Sequence, residues 1–251
     1  PRGAAVAYGA AARSLATSPA DVFLVLGTSH DWLSRPFALT TLDYETPWGR
    51  IPTDRALVER LARRGGGDLL DAEVAHARES TVEFPAVWLH AACRDRPALR
   101  IVPILVGSIE GAVQGGGSPL DDPAFADFAG ALQEILCEEG ERCALVAGVD
   151  FAHVGPQYDG AAALTRESIE EVLAFDRRLL AHAEAVNAGG FFRTIQAGGN
   201  ATQVCSTAPI TLFLAALDGL GLRGRVLEHD AYEIVPGSFV SYATAAYARV
   251  P

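Results

Sequence analysis

Helical and strand patterns alternate along this 251-residue chain, and the alternation predicts an α/β fold with a mixed or mainly parallel sheet flanked by helices on both faces. Three apolar runs, Val22–Leu26, Ile101–Val106 and Ala144–Val149, read as buried strands. Amphipathic helical stretches separate them, and no sharp composition change divides the chain. Residues 1–251 therefore read as a single domain. The absence of an initiator Met and the abrupt start at Pro1 lead us to expect a trimmed N-terminus.

Taken in order, an Ala-rich helix covers roughly Ala4 to Ala16, and the first strand follows. Tyr44 to Ile51 places Pro47 and Gly49 where a hairpin or tight turn needs them. Thr53 or Asp54 caps a helix to about Arg64, which Gly65-Gly66-Gly67 stops. Ser80 to Cys93 is the next helix, with Pro85 near its first turn. Pro103 marks the strand Ile101–Val106 as an edge or a bulge.

Gly111 to Pro119 reads as a Gly-rich surface loop. Asp122-Pro123 then opens a helix with a cap and a first-turn proline, and Phe125, Phe128, Leu132, Ile135 and Leu136 form its apolar stripe. After the strand Ala144–Val149, Ser168-Ile-Glu-Glu171 is a capping-box signal for a long helix. Asn187 to Asn200 reads as loop, Thr207 to Leu217 as a buried helix, and Arg225 to Glu228 and Ser238 to Ala248 as the final strands.

Composition narrows the function. Hydrophobic residues make up 49% and charged residues 20%, the profile of a folded domain that needs neither disulfides nor a structural metal. A metal here would be functional rather than a staple. The net charge of −11, with 31 acidic against 20 basic residues and no basic stripe, excludes nucleic acid as the expected partner. Ala208 to Leu217 and similar apolar stretches are too short to span a bilayer. The four cysteines, Cys93, Cys137, Cys143 and Cys205, form no C-x-x-C pair, so reduced thiols in a cytoplasmic protein are expected.

Open α/β sheets bind ligands beyond the carboxyl ends of their strands. His30 lies there in Gly27-Thr-Ser-His30, and Asp150 and His153 lie there in Gly148-Val-Asp-Phe-Ala-His153. Two histidines and a carboxylate meeting at one crevice suit a catalytic divalent metal or an acid–base pair; the alternative is that each histidine only bonds loop backbone. Cys205 precedes the helix that begins near Thr207, where amide groups favour a thiolate, both a nucleophile and a soft ligand. A third polar cluster runs from His76 through Glu79 and Ser80 to Glu83. His90, His182 and His229 have no partners at ligand spacing and read as surface or satisfied core residues.

Several motifs in order, Gly27-Thr-Ser-His30, Glu45-Thr-Pro-Trp-Gly49, Ile101-Val-Pro-Ile-Leu-Val-Gly107, Asp150-Phe-Ala-His153, Cys205 with Pro209-Ile210, and Val240-Ser-Tyr-Ala243, resemble the Memo family. That family includes the B component of the AmmeMemoRadiSam set and is similar in fold to class III extradiol dioxygenases, which use non-haem iron. The resemblance implies a metal held by two histidines and a cysteine, a role it carries onto His30 and Cys205, with Asp150 and His153 beside them. It implies a metal-dependent redox or dioxygenase-like pocket using iron, copper or zinc, with a small-molecule or peptide ligand. His153 is the further metal ligand on this reading, and Asp150, His153 and Cys205 are the catalytic residues.

The chain departs from the family at three points. Ser80 stands where the family's Glu-His-Ser-x-Glu places the second histidine, Arg2 replaces the histidine of an opening Pro-His-Ala-Gly, and Cys205-Ser206 replaces Cys-Gly. A hydroxyl is a poor substitute for imidazole toward such metals. His76 or His153 would then have to supply the missing donor, with Ser80, His76 and Glu79 lining the pocket. The competing readings are a binding or scaffold protein that kept the fold and lost the metal, and metal-free thiol chemistry at Cys205.

Overall fold

The structure, a computed structural model, describes residues 3–66, 68–158 and 163–249, so the sequence features at Pro1, Arg2 and Gly67 lie outside it. In chain order the elements are α1 (Ala5–Thr17), β1 (Val22–Thr28), β2 (Phe37–Leu39), β3 (Tyr44–Thr46), β4 (Gly49–Ile51), α2 (Arg55–Arg64) and α3 (Ser80–Cys93). They continue with β5 (Arg100–Val106), α4 (Glu110–Gly115), α5 (Pro123–Glu139), β6 (Cys143–Gly148), β7 (His153–Val154), α6 (Arg166–Glu184), α7 (Ala188–Ala197), α8 (Thr207–Leu217), β8 (Leu222–Val235) and β9 (Ser238–Arg249).

The main sheet has the order β2-β5-β1-β6, with β1 parallel to both β5 and β6 and β2 antiparallel at the edge. A strand buried on both faces needs side chains that are apolar on both, and β1 is buried along its whole length. Val22, Leu24 and Leu26 pack into one core with Leu57, Phe128, Leu132 and Leu212, while Phe23 and Val25 pack into a second with Val82, Ala86 and Leu89. Helices α2, α5 and α8 thus cover one face and α3 the other. Each fully buried aliphatic side chain contributes about 1.5–3 kcal/mol, so the two-sided strand is where burial is densest. A second, antiparallel sheet, β7-β9-β8, carries the C-terminal end of the chain. No described helix is long and apolar enough to cross a membrane.

Several local expectations give way to tertiary packing. Pro103 sits in an inner strand rather than at an edge. Ile101 directs its N–H to the Pro52 carbonyl, so the nitrogen two residues on faces the same side, in the gap between Thr53's bridge to Ile101 and β2's end at Leu39 opposite Ile104. No ladder bond is lost there. Residues 187–200 are mostly helix, not loop: Asn187 caps α7 by accepting from the Gly190 N–H, and Phe191, Phe192 and Ile195 are buried. The stretch Gly111–Pro119 contains the end of α4, which stops at Gly116 in the left-handed region (φ 76°). Helix α6 is capped by Thr165, which accepts from the Ser168 N–H, so Ser168 lies inside the helix. Strand β8 is far longer than Arg225–Glu228 because it pairs with β9 over most of its length.

One close approach shapes the ends of the central strands. Gly27 of β1 lies opposite Gly148 of β6, and the first turn of α3 presses on both. A Cβ on Gly27 would meet Thr81 and Val82, and one on Gly148 would overlap Pro85 and the Thr81 carbonyl. Thr81 seals the contact by donating its hydroxyl to the Thr28 carbonyl at 2.8 Å. Gly148→Ala is therefore expected to lose about 1–3 kcal/mol, the usual cost of overpacking. Urea unfolding should report this as a lower midpoint, and Gly117→Ala, whose Cβ would meet nothing, should leave the midpoint in place.

Candidate metal centre

Beyond the carboxyl ends of β1 and β6, Asp150, His153 and Cys205 form one group. Their ligating atoms lie within 4.8 Å of one another, and no other such group of three occurs among the described residues. The chain brings them together by three separate anchors. Asp150 follows β6 directly, and its N–H donates to the Ser206 hydroxyl at 3.2 Å. His153 begins β7, paired with Val240 of β9, and its N–H donates to the Thr202 carbonyl. Cys205 precedes Ser206, the N-cap of α8.

Asp150 is the hub. Its Oδ1 accepts from the Cys205 thiol and from the Ser206 hydroxyl, each at 3.1 Å, and its Oδ2 faces His153 Nε2 at 3.4 Å. His153 Nδ1 lies 3.2 Å from the Phe151 carbonyl, which can only accept, so Nδ1 is a donor, while Nε2 is turned to the carboxylate and donates to it when the ring is protonated. The Tyr158 ring stands edge-on to the imidazole at 5.0 Å. Ser206 is nearly fully buried and also accepts from the Thr28 hydroxyl at 3.2 Å, tying the end of β1 to the same hub. Sequence reading noted Ser206 only as a departure from a glycine; the signal available was a serine at a helix start next to a candidate ligand.

Electrostatics follow from this packing. Burial pushes the Asp150 carboxyl up, but the hydrogen bond and charge of His153 and the bonds from Cys205 and Ser206 outweigh it and hold it below its usual range. Burial pushes His153 down, and Asp150 outweighs that and raises it. Cys205 goes the other way. Although the residue is solvent-accessible, burial of its sulfur and the adjacent Asp150 charge push the thiol up to about 12. The start of α8 does not outweigh these two pulls, which disfavour the thiolate expected there.

A bound cation would reverse that preference, and the donor set fits one. Ligands 2.0–2.2 Å (N, O) or 2.3 Å (S) from a shared ion stand roughly 3–4 Å apart, the spacing seen between Asp150 and its two neighbours. Carboxylate, imidazole and thiolate together suit zinc, iron or copper.

The other expected residues fall differently. His30 lies outside the group of three but shares with Cys205 a cleft of about 210 Å³, also lined by Thr28, Ser29, Ser108, Asn200 and Thr207. Glu79 holds His30: one carboxylate oxygen accepts from the His30 N–H at 3.0 Å and lies 2.8 Å from ring Nδ1. Ser80 opens α3 and is exposed, and it is not among the residues lining that cleft. His76 is no substitute ligand. It is buried, with Nε2 on the Ala38 carbonyl and Nδ1 on the Tyr44 hydroxyl, both at 3.0 Å. His90 is bonded to Thr46, His182 lies beside Asn187, and His229 faces the buried Asp176. A larger depression of about 420 Å³ between Asp43, Arg55 and Arg100 is more open and offers no comparable donor group among the described residues.

A family model described as Memo-like protein matches residues 2–246. A MEMO1 family protein of Aquifex aeolicus is 27% identical over 243 residues, covering 94% of this chain and 58% of its own length. Counterparts of Methanosarcina mazei and Methanosarcina barkeri are each 26% identical, covering 84% and 92% of this chain and 68% and 76% of their own lengths. The chain thus spans little more than half the length of the Aquifex relative.

The two bonds of His76 give a pH prediction. Burial lowers its pKa from 6.5 to about 4, against the opposing pull of the Ala38 carbonyl and of Glu73 and Glu79. The unfolded chain takes up this proton near pH 6.5 and the folded chain only near 4, so stability falls as pH drops through that window. The loss is on the order of 3 kcal/mol at most. In chelator-treated protein His76→Gln should flatten the decline between pH 6.5 and 4, measured as urea midpoints across pH.

Proposed function

The chain belongs to the Memo-like protein family, and from that premise we propose that Asp150, His153 and Cys205 hold one zinc, iron or copper ion beside a small-molecule cleft. The observation that carries this reading is the mutual approach of three unlike donors at the carboxyl ends of adjacent parallel strands. When bound, the ion supplies Lewis acidity and, with iron or copper, a redox couple for dioxygenase-like oxidation of a ligand. The protein's own groups do the rest. Phe151 fixes the His153 tautomer so that Nε2 is the ligating nitrogen. Ser206 and Thr28 fix the Asp150 carboxylate. His30, held by Glu79, faces the ligand across the cleft from Cys205. We place the protein in the cytoplasm, where such a thiol stays reduced.

A second reading is favoured by Ser80. At the position where the family resemblance puts a histidine, it offers an exposed hydroxyl and no strong donor. On this reading the fold persists as a binding module without its metal.

Elemental analysis of protein purified without chelator, followed by zinc and ferrous iron titration, separates the two. The first reading expects one ion per chain, with Cys205→Ala and His153→Ala each weakening binding tenfold or more, about 1.4 kcal/mol per tenfold. A parent chain that binds neither ion, together with a Ser80→His variant that does, would establish the second.

A further inference from the structure

We infer that the outer face of α1 and α3 is the contact surface of a two-fold symmetric dimer of this chain, closed at its corners by Arg13 of each copy meeting Glu83 of the other. A surface helix ordinarily turns a polar face to solvent, and one that is apolar all round is normally covered. These two helices are of the second kind. From Val82 to Cys93 only Glu83 and His90 are other than apolar, and from Ala5 to Thr17 the only charged residue is Arg13. Helix α3 turns one side to the sheet, where Val82, Ala86 and Leu89 are buried. Phe84 and Trp88 lie on the opposite side, at about 100° per residue.

The two helices run parallel. The Tyr8 ring stacks on Trp88 at 5.1 Å, and further along the Cys93 thiol donates to the Leu15 carbonyl at 3.7 Å. The apolar surface continues beyond both. Thr46 holds the β3–β4 hairpin to His90 at 2.6 Å, and Trp48 at the hairpin tip stands edge-on to the same ring. At the start of α1, Gly3 lies so close to Tyr232 of β8 that a Cβ there would collide with the ring, and Val6 follows one turn later. Val6, Trp48, Phe84 and Tyr232 are 39–61% exposed. Exposed apolar residues scattered singly need no partner, whereas a run of them across neighbouring elements marks an interface.

The charges say what the partner is. Arg13 lies five residues beyond Tyr8 and Glu83 five residues before Trp88, so they stand at opposite ends of the parallel pair. At 1.5 Å per residue the separation along the helices is about 15 Å. They also occupy opposite flanks, and both are exposed. Arg13, two turns past Val6, is on the side of α1 turned from Tyr8. Glu83 is on the hairpin side of α3, where burial and then the Glu83 charge push the Tyr44 hydroxyl up. A two-fold contact must be self-complementary, and opposite charges at opposite corners of one apolar face meet that requirement. An axis in the contact plane, midway between the corners, brings each Arg13 onto the Glu83 of the second copy.

Sedimentation velocity over a concentration series tests this, run in chelator so that no metal bridges two copies, with urea midpoints confirming that each variant folds. The parent should dimerise reversibly. Arg13→Glu and Glu83→Arg each place two like-charged pairs in a two-fold contact, so each should raise the dimer Kd about tenfold or more. The double variant Arg13→Glu/Glu83→Arg restores opposite charges and should return the Kd to within about threefold of the parent. Phe84→Ser removes an apolar anchor and leaves both charges in place; it should weaken the dimer by about tenfold as well. Arg63→Glu, on α2 at the other face of the sheet, should leave the Kd unchanged. A parent that stays monomeric at every concentration overturns the proposal. So does a dimer that the single reversals and Phe84→Ser leave unchanged, since its contact then lies elsewhere. Single reversals that weaken the dimer without recovery in the double variant would overturn it too, because Arg13 and Glu83 then do not meet.

Discussion

The parallel pairing of β1 with β6 is the constraint on which the site depends. It sets Gly27 level with Gly148, so the chain leaves the sheet at two adjacent points of equal height. Neither glycine could carry a side chain without displacing α3, which lies across both strand ends. The loop with His30, the loop with Asp150 and the start of α3 are thereby forced into one small volume. Helix α8 closes the remaining side, because its N-cap Ser206 bonds to both strand-end segments through Thr28 and Asp150. A crevice at the ends of parallel strands is general to such sheets, but its tightness here comes from these two glycines.

Within that volume, two carboxylates divide the work in the same physical way. Asp150 and Glu79 are each kept ionised by neighbours that outweigh the cost of burial, and each fixes one face of a histidine. Their histidines differ in which nitrogen meets the acid. His153 turns Nε2 to Asp150 because Phe151 occupies Nδ1, whereas His30 turns Nδ1 to Glu79. The first arrangement leaves carboxylate and imidazole side by side as two donors for one ion. The second makes the carboxylate a support behind the ring.

How much of this was legible in the chain depends on the range of the interactions. The strands Val22–Leu26, Ile101–Val106 and Ala144–Val149 announce themselves because a two-sided core demands uninterrupted apolar residues. Asp150 and His153 follow such a strand by only a few positions, so their place at the crevice could be read directly. Helix α7 could not, since Gly189 and Gly190 hide a helix whose Phe191, Phe192 and Ile195 are buried once it packs against α6 and α8. The state of Cys205 was hidden for the same reason. A helix start favours a thiolate, but the carboxylate that decides the matter comes from 55 residues earlier in the chain. His76 looked like a spare ligand until Ala38 and Tyr44 were seen to occupy both its nitrogens.

The two serines that distinguish this chain from the pattern it resembles act on opposite sides of the cleft. Ser80 is an exposed residue at the start of α3, while Ser206 contributes a buried hydroxyl that accepts from Thr28 and from the Asp150 N–H and donates to the Asp150 carboxylate. A glycine at position 206 would leave the Thr28 hydroxyl without that partner and the Asp150 carboxylate with one fewer donor. Because a buried, fully bonded hydroxyl orients what it touches, Ser206 holds Asp150 where it meets both Cys205 and His153. Loss of a donor on the α3 side and added support on the β6 side both favour the Asp150–His153–Cys205 group as the place where an ion would be held.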